Sequence, residues 1–167
     1  MLEDIPFRGE LRDLFERGLQ SPMAASALAQ SLYPNGERLH SVFLPEHRDV
    51  CAQLGQIYTR MKPADPLDMK AWLKVLALDP RRTDVSVFGA RGDEIAVGDP
   101  LTYAREFPDS ARAIARKYLQ PDCFFFEVVC KEPTASSGTR FHMLFRDQKG
   151  WCMAGPMWRM LPNQPVQ

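Results

Sequence analysis

The sequence predicts an α+β fold in which N-terminal helices pack on a curved, mainly antiparallel sheet that ends in a three-stranded meander. Residues 1–80 place apolar side chains at helical spacing between prolines, and residues 81–167 hold the strand-like runs. The last three runs are joined by short polar loops, which favours antiparallel pairing of neighbours. A chain of 167 residues suits one domain, so we expect a single α+β domain over 1–167, helix-rich over residues 1–80 and sheet-rich over residues 81–167.

Four amphipathic helices are expected before the first strand, and a fifth between the strands. Capping residues and prolines bound them: Ser21-Pro22 begins the second, and Asp65-Pro66 begins the fourth. The predicted helices cover residues 9–19, 22–32, 44–61, 65–78 and 109–119.

The strands are predicted where the period changes to two or the chain becomes continuously apolar. Residues 84–88 and 95–97, with a turn between them, predict a hairpin. The meander follows as residues 124–129, 141–146 and 151–161. Gly155-Pro156 interrupts the last strand, and because proline cannot donate to a ladder we expect a bend there.

Charge and composition argue against several classes of protein. Lys and Arg number 21, as do Asp and Glu, so no overall positive field would attract nucleic acid. No run of 18 apolar residues is present, which predicts a soluble protein that does not enter the membrane. The acidic N-terminus lacks the pattern of a signal peptide, so a cytoplasmic location is expected, or a periplasmic one if a signal peptide has been removed.

No motif for a metal or a cofactor is present. Cys51, Cys123, Cys130 and Cys152 form no C-x-x-C pair and have no histidine at zinc-ligand spacing, so buried free thiols are expected. Cys123 and Cys130 could pair across strands only if the protein is exported. Glycine-rich phosphate loops and dinucleotide fingerprints are missing, so we expect no cofactor.

Two segments carry a resemblance to a known fold family. They are residues 15–36, with a small-residue helix ending in Tyr33-Pro34-Asn35-Gly36, and residues 150–158 of the last strand. The order of helices, hairpin, helix and curved meander resembles the NTF2-like (SnoaL-type) cone fold. The resemblance implies either chemistry in the pocket of the cone or the binding of partners without catalysis. The helical material between residues 44 and 78 exceeds what that family usually places before its sheet.

The one acid–base pair that the sequence suggests is His142 with Glu127. If the strands 124–129 and 141–146 are neighbours, the two side chains can meet on one face, where they could act as base and orienting acid. Charge pairing across two strands explains the same placement without any chemistry.

An aromatic and basic cluster near the C-terminus is the candidate binding surface. Trp, Met and Arg are frequent in binding surfaces, and a bent last strand would turn some of them towards a concavity or solvent. Packing in the core is the alternative fate for most of them. The candidate binding residues are Trp151, Met153, Met157, Trp158, Arg159 and Arg146.

The sequence therefore favours a non-catalytic protein- or ligand-binding module, such as an adaptor, a chaperone-like protein or a toxin-neutralising protein, that uses the curved sheet. Its partner would be a protein or a small apolar ligand, and a homodimer is compatible with the pattern. The alternative is a small-pocket isomerase, dehydratase or hydrolase of the SnoaL type that uses His142 and Glu127.

Overall fold

The computed structural model of the protein describes residues 5–161 and confirms the α+β class. The described residues form a four-stranded sheet with the strand order β1-β2-β3-β4, and every neighbouring pair is antiparallel. The meander of three strands is therefore extended by one more strand. The elements are α1 (Arg8–Gln20), α2 (Pro22–Leu32), α3 (Gly36–Leu39), α4 (Arg48–Met61), α5 (Met69–Leu76), β1 (Asp84–Arg91), α6 (Gly92–Val97), α7 (Asp109–Tyr118), β2 (Phe124–Lys131), β3 (Thr139–Asp147) and β4 (Gly150–Met153).

Local capping fixes where the helices begin. Ser21 Oγ accepts from Ala24 N at 3.1 Å, as expected for an N-cap that precedes a proline. The fourth predicted helix begins later than expected, because Asp68 rather than Asp65 caps α5 by accepting from Ala71 N at 3.2 Å. No helix within residues 5–161 is both long enough and apolar enough to cross a membrane.

Helices cover both faces of the sheet. Phe126 and its same-face neighbours pack on α1, α2 and α5, and Phe125 points to the opposite face, where α4, α6 and α7 contribute the packing. Successive residues of a strand point to opposite faces, so the apolar run of β2 fills two cores at once. That explains why the run is continuous rather than alternating.

The predicted hairpin between residues 84–88 and 95–97 is wrong, because residues 92–97 form α6. Glu94 Oε2 accepts from Arg91 N at 2.9 Å and closes the first turn of this helix. Gly92 fits against the backbone of Gln120, where an added Cβ would lie 2.3 Å from the carbonyl oxygen. This close contact, together with the cap, overrides the strand propensity of the β-branched residues.

The last predicted strand is shorter than expected. β4 ends at Met153, and Gly155 adopts φ +73° before the chain enters a 3-10 turn at Met157–Arg159. Ala154 N and Gly155 N still donate to the carbonyls of Met143 and His142 on β3, at 2.9 and 3.1 Å. Residues 156–161 then leave the sheet and pack beside α4 and α7, and residues 162–167 lie outside the described residues.

Candidate functional site

Glu127 and His142 meet at a β-bulge between β2 and β3. The register shifts between Phe126 and Val128, so that Glu127 alone faces two residues of β3, His142 and Met143. Met143 adopts φ 56°, and its backbone N–H donates to the side chain of Glu127. Glu127 Oε2 accepts from this N–H at 2.7 Å, and Glu127 Oε1 lies 2.7 Å from His142 Nδ1. The side chain of Glu127 therefore accepts a hydrogen bond from the backbone N–H of Met143 at the bulge.

Burial dominates the electrostatics of this pair. The side chain of Glu127 is completely buried, whereas that of His142 is 16% exposed. Loss of solvent raises the pKa of Glu127, and the hydrogen bond and charge of His142 oppose that rise. Trp158 packs edge-on against the His142 ring at 5.1 Å. A carboxylic acid beside an imidazole can exchange a proton, but here both carboxyl oxygens already contact protein groups.

A groove of about 550 Å³ lies beside the end of β4. Helices from both layers reach it, α2 and α5 from one layer and α4 from the other, together with the segment that follows β4. We call it the Tyr-Met groove after its lining residues, which include Tyr33, Tyr58, Met61, Met153, Pro156 and Met160. Glu127 and His142 do not line it, nor do they line three other cavities of about 500 to 560 Å³ on the described chain.

Two tyrosines build the floor of the Tyr-Met groove. Tyr33 donates from its hydroxyl to the Tyr58 carbonyl at 2.6 Å, and its ring stands edge-on to Tyr58 and Trp72 at 6.0 and 5.6 Å. The Tyr58 hydroxyl donates to the carbonyl of Ala154, which ties the segment after β4 to α4. Burial raises the pKa of both phenols, so they remain neutral donors. With both hydroxyls engaged, the groove offers an apolar surface.

The structure does not bring the six candidate binding residues together. Of these six residues, only Met153 lines the Tyr-Met groove. Trp151 and Met157 are buried in the cores on opposite faces of the sheet, and Trp151 Nε1 donates to Glu10 Oε1 at 2.9 Å. Trp158 packs against the His142 ring and does not line the groove.

Of the two arginines of that candidate surface, Arg146 lies opposite Trp151 on the neighbouring strand, and both side chains contact Glu10 Oε1. Arg146 forms an ion pair with Glu10 at 3.3 Å and stacks over the Phe7 ring at 4.3 Å. Arg159 is exposed in the 3-10 turn. Sequence reasoning missed Tyr33, Tyr58 and the other helical residues of the groove, since nothing in their local spacing shows that α2, α4 and α5 converge.

The cysteines are free, and none pairs. Burial raises the pKa of Cys51 to about 11 and of Cys130 and Cys152 to about 12, so these thiols stay protonated at neutral pH. Within the stretch of chain that the structure describes, no three His, Cys, Asp or Glu side chains cluster as metal ligands would.

Comparison with protein-family models, curated proteins and solved structures finds no significant match to this chain. The resemblance to the NTF2-like fold stays a prediction.

Proposed function

We propose that the protein is a non-catalytic binding module whose Tyr-Met groove holds a small apolar ligand. The observation that carries this proposal is the cavity of about 550 Å³ with its apolar lining. Pockets for small organic ligands typically measure about 300 to 1,000 Å³ and are mostly hydrophobic with few polar groups. The groove has both properties.

The choice of lining residues supports an exchangeable ligand. Met61 is 63% exposed at the groove, so folding alone leaves its side chain in contact with water. Methionine side chains are flexible and adapt to different apolar shapes, whereas the prolines of the lining are rigid. A bound ligand would cover the side chains of Met61, Met153 and Met160. The removal of this apolar surface from water would supply the affinity.

The proposed binding surface is the Tyr-Met groove and not the face of the curved sheet that the sequence favoured. Helices cover both faces of the sheet, so the proposed site lies beside the end of β4 and not on a sheet face. The proposal needs no acid–base chemistry, because Glu127 and His142 are accounted for by the bulge that they stabilise.

Titration with the neutral fluorescent dye N-phenyl-1-naphthylamine tests this proposal. We expect saturable binding with one site per chain in the native protein. The Ala71→Phe variant places an aromatic ring into the groove from α5 and should weaken binding by about tenfold or more, equivalent to 1.4 kcal/mol.

The matched control is Ala52→Phe, which adds the same ring to the exposed face of α4. This variant should bind the dye as the native protein does. Equal affinity of the Ala71→Phe variant and the native protein, or the absence of saturable binding to the native protein, would overturn the proposal.

A further inference from the structure

We propose that the ligand of the Tyr-Met groove is an amphipathic anion, with an apolar body in the groove and one carboxylate at the rim beside Lys74. The proposal rests on the binding function proposed above and specifies the chemical class of the ligand. Its basis is the distribution of charge around the groove.

Lys74 is the one charged residue among those that line the groove in the described chain. It is exposed in the last turn of α5, and no carboxylate of residues 5–161 lies within ion-pair distance of it. A lysine can lay its apolar stem along the wall and keep its ammonium group in water at the mouth. The groove thus joins an apolar interior to a positive rim.

The chain that borders the groove strengthens this polarity. Residues 60–74 hold four cations and two acids, whereas the whole chain is neutral. Arg60, Lys62 and Lys70 are exposed and, like Lys74, form no ion pair with a described residue. Lys62 stands between two lining residues, and Lys70 precedes Lys74 by one helical turn.

The two acids of this segment are engaged in local backbone contacts. Asp65 Oδ1 accepts from Leu67 N at 2.8 Å, and Asp68 Oδ1 accepts from Ala71 N at 3.2 Å. Both carboxylates are thereby held at the start of α5, away from Lys74 in its last turn. A ligand carboxylate at the rim would meet cations without an adjacent competing carboxylate.

The interior of the groove excludes the charged end of the ligand. The hydroxyls of Tyr33 and Tyr58 already donate to backbone carbonyls, so they have no proton left for a buried carboxylate. A charge without a partner is costly to bury. The apolar body therefore points inward and the carboxylate outward, which fixes the orientation of the ligand.

Competition between the neutral dye and a pair of ligands with matched chains, decanoate and decan-1-ol, tests the assignment. The Lys74→Met variant keeps the apolar stem and removes the charge. Since an exposed ion pair contributes little, we expect this variant to weaken the binding of decanoate by about 1.5-fold to fivefold in low salt and to leave the binding of decan-1-ol unchanged. The Lys74→Glu variant should weaken the binding of decanoate further. About 0.5 M NaCl should reduce the loss of decanoate affinity caused by Lys74→Met, since this much salt shortens the range of the charge interaction to a few Å.

Lys149→Met is the control, because Lys149 is an exposed lysine that lines a different cavity. It should leave both ligands unchanged. Equal weakening of decanoate and decan-1-ol by Lys74→Met, or weakening of decanoate by Lys149→Met, would overturn the assignment. If Ala71→Phe blocks the dye but Lys74→Met does not discriminate the two ligands, the anion assignment fails and the proposed binding function stands. If Ala71→Phe leaves dye binding intact, the binding function itself fails.

Discussion

The β2–β3 bulge and the Tyr-Met groove both have polar groups that are hydrogen-bonded within the protein, but only the groove has open space beside them. At the bulge, Glu127 is fully buried and both of its carboxyl oxygens have partners within 2.7 Å. At the groove, the tyrosine hydroxyls are also engaged, but about 550 Å³ of space remains next to them. The position of Glu127 beside His142 is thus explained by the backbone N–H from which Glu127 accepts a hydrogen bond at the bulge. The fold does not require the open apolar space of the groove in the same way. This difference supports a structural role for the bulge and the proposed binding role for the groove.

The largest expected effect is the loss of the acceptor at the bulge. In a Glu127→Ala variant the Met143 N–H and His142 Nδ1 lose their partner in a buried setting. We expect the free energy of unfolding to fall by about 3 kcal/mol, since breaking a buried, paired group costs roughly this much. Urea denaturation measures it, and dye affinity of the folded fraction should stay unchanged.

Replacement of an exposed acid serves as the reference for that experiment. Glu16 is exposed on α1, and a Glu16→Ala variant should unfold at the same urea concentration as the native protein. A Glu127→Ala variant that is as stable as the Glu16→Ala variant, or that loses dye binding while folded, would contradict the division of roles between the two regions.

A smaller effect is expected from pH. Because burial raises the pKa of Glu127, the folded protein keeps this proton at pH values where the unfolded chain has already lost it. The free energy of unfolding should therefore fall as pH rises from the ordinary glutamate pKa, about 4.3, through the raised folded value. Below that window the contribution is fully present.

A Glu127→Gln variant removes this titration and isolates it. The difference in unfolding free energy, native minus variant, should decrease as the pH rises above the ordinary glutamate pKa in urea titrations, since ionisable groups that do not contact Glu127 cancel. A difference that increases with pH would show that folding stabilises the ionised carboxyl, and a flat difference would show that folding leaves its pKa unchanged; either result would contradict the raised pKa.

Periodicity and capping predicted α1, α2 and α7 because these signals are local, whereas α3 and α6 were not predicted. Residues 9–19, 22–32 and 109–119 correspond to α1, α2 and α7 within one or two positions. The order of the three meander strands was also predicted, since short polar loops join sequential neighbours. The α+β class follows from these elements without any tertiary information.

The errors occur where a distant contact decides the local structure. Residues 95–97 have strand propensity, yet the packing of Gly92 against Gln120 favours α6. The proline at 156 was expected to bend a strand, whereas the strand ends before it and Tyr58 holds the following segment to α4. These contacts join residues far apart in sequence, so no local pattern reports them.

The candidate site shows the same division. That Glu127 and His142 meet was predicted from neighbouring strands, and the hydrogen bond of 2.7 Å confirms this contact. The bulge that explains the pair depends on a shift in register, which the alternation of side chains did not show. The groove could not be predicted, because its walls come from three helices and from residues that follow β4.

The methyl resonances of the eight methionines offer the most direct test of the proposed binding site. Met61, Met153 and Met160 line the Tyr-Met groove, Met143 and Met157 are fully buried, and Met23 and Met69 line a separate cavity. In protein labelled with ¹³C-methyl methionine, saturating decanoate should shift the three groove resonances and leave the other four described ones in place. Shifts confined to Met23 and Met69, or no shift at the groove, would contradict the account.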